Sequence, residues 1–218
     1  MKGELSRLIA GQIFLHACMA GTRMAVPLLA LQQGFSAMAV GALLALFALT
    51  QVFLALPAGR YADRKGLKAP LALSVAIAFT GVSLSAIWPV FPMLCLSALA
   101  SGGATGMAVI ALQRHVGRLA KGPAELKSAF SWLSIGPAVS NFLGPVLAGL
   151  MIDFAGPERG HETGFRVAFL LMALLPLLTL WCVRGVREKT SAQVEGPKEK
   201  KHVLDLLHQP MMLRLLGV

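Results

Sequence analysis

Charge is scarce in this 218-residue chain. Only 14% of its residues are charged, and ten acids face twenty lysines and arginines. Aromatic residues reach 7%, with a single tyrosine. With 56% hydrophobic residues and a mean hydropathy of +0.70, the chain is too apolar to clothe a soluble domain. Cysteine is scarce as well. Cys18, Cys95 and Cys182 each sit inside an apolar run, with no CxxC pair and no metal-ligand spacing, so neither a disulfide framework nor a metal site is indicated. The five histidines are scattered, and no HExxH, GxSxG or phosphate loop occurs, which points away from an enzyme or a cofactor protein. A net charge of +10 would suit nucleic acid, but the basic residues lie in short segments between apolar runs, so nucleic acid is excluded as a partner and the lipid bilayer takes its place.

Six runs are long enough to cross a bilayer, which takes about 20 apolar residues. They fall at roughly 8–31, 37–58, 69–88, 90–112, 129–152 and 165–183. No signal-peptide cleavage site follows the first run, so it is read as a span. The connections between spans alternate in charge. Basic residues crowd the N-terminus, 59–68, 113–128 and 184–203, whereas 32–36 and 88–92 carry none and 153–164 is acidic. Positive charge accumulates on the cytoplasmic side, so both ends of the six-span block are expected there. Residues 1–185 thus read as a transmembrane bundle and 186–203 as a basic cytoplasmic linker; 204–218 starts a seventh span that stops short, or lies along the interface.

A short pattern recurs across the block. AGRYADRKG at 58–66 and AGLMIDFAG at 148–156 share an Ala-Gly pair, an aspartate and a glycine at an offset of 90 residues. The first copy follows the second span and the second follows the fifth, on opposite faces of the membrane. An inverted three-plus-three repeat predicts this arrangement. The second copy lacks arginine and lysine because its face is not the cytoplasmic one. The expected fold is an all-α polytopic membrane protein, a six-helix bundle of two inverted three-helix repeats followed by the start of a seventh helix.

GRYADRKGLKAPL at 59–71 resembles the signature between the second and third helices of the major facilitator superfamily, with Gly59, Ala62, Asp63, Arg64, Gly66, Lys68 and Leu71 in place. GPAVSNFLGPVLAG at 136–149 is similar to the fifth-helix motif of that family's proton-driven antiporter branch, through Gly136, Gly144, Pro145 and Gly149. FRVAF at 165–169 looks like the start of the family's sixth helix. The family's fourth-helix arginine has no counterpart in LSALASGGATG at 96–106. The resemblance implies the N-terminal half of a transporter in the bacterial cytoplasmic membrane. It also implies a gating role for the Gly59, Asp63, Arg64, Gly66, Lys68 set, and a partner in a C-terminal half or a second copy.

Polar residues inside spans are costly and therefore candidates for function. Gln12, His16 and Arg23 in the first span lie at offsets that share one helical face. Arg23 either faces a cavity, binding an anionic group, or caps carbonyls and snorkels. His16 either carries a proton or packs by hydrogen bonding. Gln51 in the second span, and Ser134 and Asn141 in the fifth, either line a path or join helices. The glycines and Pro145 of the fifth span allow close packing and a kink without any antiport. The reading is a secondary transporter of a small organic solute by proton-coupled efflux, with Arg23 favouring an anionic group. The alternatives are a half-length assembly partner that transports nothing and a proton-coupled uptake symporter.

Overall fold

In hydrocarbon every backbone N–H and C=O must pair within its own segment, so apolar runs of this length can only be helices. In the computed structural model, residues 2–120, 122–159 and 161–186 are described. They form α1 (Lys2–Gln32), α2 (Ala37–Lys65), α3 (Lys68–Ile87), α4 (Phe91–Leu119), α5 (Pro123–Leu133), α6 (Ile135–Arg159) and α7 (His161–Val183). No strand occurs among the described residues, and six helical segments there are long and apolar enough to cross a membrane. The linker from residue 187 onward and the seventh-span start lie outside the described residues.

The helices outlast the apolar runs. Ser36 opens α2 by accepting a hydrogen bond from the Ala39 N–H at 3.3 Å, a side-chain N-cap. At the other end Gly66, at a φ of 76°, donates its N–H to the Ala62 carbonyl at 3.1 Å. This left-handed region favours glycine. Residues 59–65 are therefore the last two turns of α2, and only the corner at Gly66 and Leu67 is non-helical. The segment expected as a loop at 153–164 is likewise mostly helix, since α6 runs to Arg159 and α7 starts at His161. The fifth span is two helices rather than one. Pro137 lacks an N–H and its ring crowds the carbonyl of residue 133, so the helix stops at Leu133, turns at Ser134 and restarts at Ile135.

The packing follows a twofold pattern. α1 lies along α6, and α4 lies along α2; α3 packs on α4, and α7 packs on α1; α3 meets α7, and α1 meets α4. If the first three spans are exchanged for the last three, each of these pairs becomes its partner pair or itself; the exception is α6, which lies along α7 far more closely than α2 lies along α3. The 90-residue offset holds within the contacts as well. Ser140 donates to the Ile13 carbonyl at 3.0 Å, and at the equivalent crossing a Cβ on Gly103 would lie 3.4 Å from the Thr50 Cβ. α1, α3, α4 and α7 bury the core, with Leu8, Leu15, Leu94, Phe165 and Phe169 fully enclosed. α2 and the fifth span are the least covered, and Val52, Phe53, Leu56, Phe142 and Phe154 all stand exposed.

Candidate functional site

At the basic end of the bundle the motif aspartate has a partner that no spacing in the sequence announces. The Asp63 carboxylate, on the last turn of α2, pairs with the Arg114 guanidinium of α4. Arg114 also donates to the Ala62 carbonyl, and at 3.5 Å to that of Asp63 itself. One arginine thus neutralises the acid and caps the C-terminal carbonyls of α2, where a cation suits the helix dipole. The next residue of α4, His115, places Nε2 3.6 Å from Glu4 Oε1 on α1. Successive side chains of α4 therefore reach two other helices. Arg64 and Lys68 of the motif are exposed beside this clasp. Gly59 has nothing within 4 Å of where its Cβ would be, so its lack of a side chain serves no contact within this bundle.

In mid-span, helices touch through glycine. A Cβ on Gly144 would stand 2.5 Å from the Ala17 carbonyl oxygen and 2.7 Å from the Gly21 nitrogen, so α6 and α1 cross backbone to backbone there. Gly136 leaves room for Gln12, whose Oε1 would be 2.9 Å from an added Cβ. Gly149 has only ordinary contact with Met24, at 3.7 Å. On the other side of the bundle, Gly102 and Gly106 let α2 lie against α4, with Gln51 Cγ 3.2 Å from the position of a Gly106 Cβ.

Gln12 is buried, His16 and Gln51 are half-buried, and Arg23, Ser134 and Asn141 are exposed. Gln12 and His16 border one small void together with Thr105 of α4. Arg23 makes no ion pair or hydrogen bond among the described residues, to Ser134 and Asn141 included. Ser134 instead donates to the Ser131 carbonyl at 2.7 Å within the α5–α6 break. From Ser134 at the break along α6, Ala138, Asn141, Phe142, Val146 and Leu150 continue one exposed stripe, an apolar face interrupted by an amide. At the 90-residue offset, Thr50-Gln51 and Ser140-Asn141 are the same hydroxyl–amide pair on two helices that the pseudo-twofold exchanges. That signal was in the sequence. The Asp63–Arg114 pairing was not, because an arginine near a span end looks the same whether or not an acid faces it.

The family model for the Major Facilitator Superfamily matches residues 8–218. The chain belongs to the major facilitator superfamily. It is also 29% identical over 180 residues to the tetracycline resistance protein, class B, of Escherichia coli, which takes in 81% of this chain and 43% of that protein. The chain therefore spans less than half the length of this curated relative. Major facilitator proteins are transporters rather than enzymes, and the six spans make this one a multi-pass integral membrane protein. Within the superfamily motif the clasp joins α2 to α4 of the same bundle.

Proposed function

We propose that this chain supplies the six-helix N-terminal bundle of a secondary transporter that exports a small organic solute in exchange for protons. The observation that carries this reading is the placement of its span polar residues. Arg23 and Asn141 lie on the sides of α1 and α6 that the bundle leaves uncovered, and Gln51 is half-buried where α2 lies against α4. Such a face needs a second bundle, from a C-terminal half or another copy, and a path between two rocking bundles places its site at the bilayer midplane. The efflux direction draws on the fifth-span motif and on the similarity to a protein named for tetracycline resistance. The charge asymmetry supports a cytoplasmic Asp63 end, and the family resemblance supports a bacterial cytoplasmic membrane.

In this reading Asp63, Arg64, Lys68 and the clasp at Arg114 form the cytoplasmic latch, and Arg23 recognises an anionic group on the solute. No acid lies deep in the spans, so His16 or the second bundle carries the proton. The test is transport in membrane vesicles. Replacing Arg23→Ala should weaken transport of anionic solutes by roughly tenfold, the value of one lost charge-assisted contact. Unchanged affinity across anionic solutes would refute the role of Arg23. Uptake that follows the proton gradient inward would refute export.

A further inference from the structure

At the basic end of the bundle a cleft lies between the corner joining α2 to α3 and the last turns of α4. Gly66 and Leu67 of the corner line it together with Ala111, Arg114, His115 and Arg118 of α4. Its empty volume, open mouth included, is about 410 Å³. No acidic side chain lines it among the described residues. Arg118 is exposed, while the side chains of Arg114 and His115 keep only 18% and 11% of their surface. Three of the N–H donors of Arg114 go to α2, namely to the Asp63 carboxylate and the carbonyls of Ala62 and Asp63. A guanidinium has five, so two remain. α3 starts beside Leu67 with no side-chain cap, which adds the positive end of a helix dipole at the same corner. Across residues 59–68 and 113–119 six lysines and arginines stand against one acid, Asp63. Sidedness accounts for cations at this end, and one in the last turn of α4 suits that helix's own dipole. Neither accounts for cations drawn in around a cleft without an acid.

We propose that this cleft binds the phosphate of an anionic phospholipid from the cytoplasmic leaflet, with Arg114 and Arg118 as its donors. Planar guanidinium groups match phosphate oxygens two at a time, and these two sit one helical turn apart on α4. The depth argues for a lipid over a soluble anion. The apolar run of α4 ends at Leu112. From Ala111 to Arg118 the helix rises about 10 Å. That carries the wall from the edge of the hydrocarbon through a headgroup layer of about 5–8 Å on each side. Ala111 and Leu67 give the cleft an apolar part that suits glycerol and the first methylenes of an acyl chain, and inorganic phosphate would gain nothing there. Basic pockets between spans on the cytoplasmic side are suited to anionic headgroups in this way. The lipid then shares Arg114 with Asp63, so the clasp and the bilayer act on one side chain. The proposal rests on the sidedness of charge and not on the solute or the direction of transport.

The experiment titrates the full chain, in a neutral detergent, with phosphatidylglycerol, phosphatidylcholine or inorganic phosphate, and counts bound molecules by native mass spectrometry. Phosphatidylglycerol should bind at least about tenfold more tightly than phosphatidylcholine, whose own cation the cleft repels. Arg118→Gln should weaken phosphatidylglycerol about tenfold, the value of one charge-assisted contact, and Arg118→Lys should restore part of the loss. Unchanged phosphatidylcholine binding shows that each variant is still folded. Arg184→Gln is the control, exposed at the same end of the bundle but outside the cleft, and should change binding by less than about twofold. Equal affinity for the two lipids, no effect of Arg118→Gln, or equal losses in Arg118→Gln and Arg184→Gln would each overturn the proposal, the last by showing only diffuse surface charge. Displacement of phosphatidylglycerol by inorganic phosphate at equal concentration would overturn the lipid assignment and make the cleft a site for a soluble anion.

Discussion

Removing Arg114 should destabilise this bundle more than removing the acid it pairs with. In Arg114→Ala two interactions go. The ion pair with Asp63 is worth little, because the carboxylate side chain is 57% exposed and water replaces the lost partner; about 0.5 kcal/mol is expected. The bond to the Ala62 carbonyl is different. Arg114 is only 18% exposed, and its guanidinium supports the end of α2 with a charge-assisted bond worth about 1.5 kcal/mol. The sum is about 2 kcal/mol, against about 0.5 kcal/mol for Asp63→Asn, which leaves the arginine on the carbonyl. For a chain of this size those losses correspond to falls in midpoint of about 4–8 °C and about 1–2 °C. The thiols supply the assay. Cys18 and Cys182 are buried, so a maleimide dye should label them only as the bundle opens on heating. Equal losses in the two variants would refute the reasoning, since the carboxylate would then carry the clasp. A double-mutant coupling well above about 1 kcal/mol would do the same.

The glycines of the fifth span separate cleanly. Gly144→Ala drives a methyl into the backbone of α1 at Ala17 and Gly21, which cannot yield, and should cost at least about 3 kcal/mol, whereas Gly149→Ala should stay within about 0.5 kcal/mol by the same thiol assay. Thr179 is fully buried and donates to the Gly11 carbonyl at 2.9 Å, so Thr179→Val should lower stability by about 1 kcal/mol through loss of that α1–α7 link. An antibody against residues 187–201 should detect, in native membranes, a product near twice the 23.0 kDa of this chain; a band at 23.0 kDa would favour the assembly-partner or dimer reading.

The class of fold was legible because hydrocarbon leaves no alternative to helix, and the basic segments between apolar runs recorded which side each connection faces. The repeat was legible at its loudest point, Asp63 and Asp153. It was missed at Thr50-Gln51 and Ser140-Asn141, where two different hydroxyl residues and two different amides hide one position. Helix ends were misplaced wherever polar residues continue a helix beyond the membrane, as at Gly59–Lys65, since hydropathy reports the solvent and not the backbone. Pro137 was visible, but whether a proline kinks or breaks a helix depends on what stabilises the freed carbonyl; here Ser134 forms the turn. Partner identity was the least legible. Asp63 with Arg114, and Gln12 with Gly136, lie more than fifty residues apart in sequence and are joined only by how α1, α2, α4 and α6 cross.

The departures from twofold symmetry point to what each copy does. At the 90-residue offset Met24 takes the place of Arg114, so Asp153 has no cation at the position where Asp63 finds one, and it forms no ion pair among the described residues. The cation of the first span stands one residue away, at Arg23, and is exposed. A shift of one residue turns a helical side chain by about 100°. It therefore moves a charge from the helix–helix seam, where it would clasp, toward the uncovered side, where it can meet a solute. The same offset sets Gln12 against Gly102 and His16 against Gly106. In the second copy those glycines bring α2 close to α4; in the first, the polar side chains take up the space and reach the void beside Thr105. In the function proposed above, closure would rest on the Asp63–Arg114 crossing and solute contact on the related crossing beside Arg23. Exchanging the roles should fail in a specific way: Met24→Arg with Arg23→Met should build an outer clasp to Asp153 and raise thermal stability while transport of anionic solutes falls. Stability that does not rise would mean that Asp153 and position 24 do not face one another as Asp63 and Arg114 do.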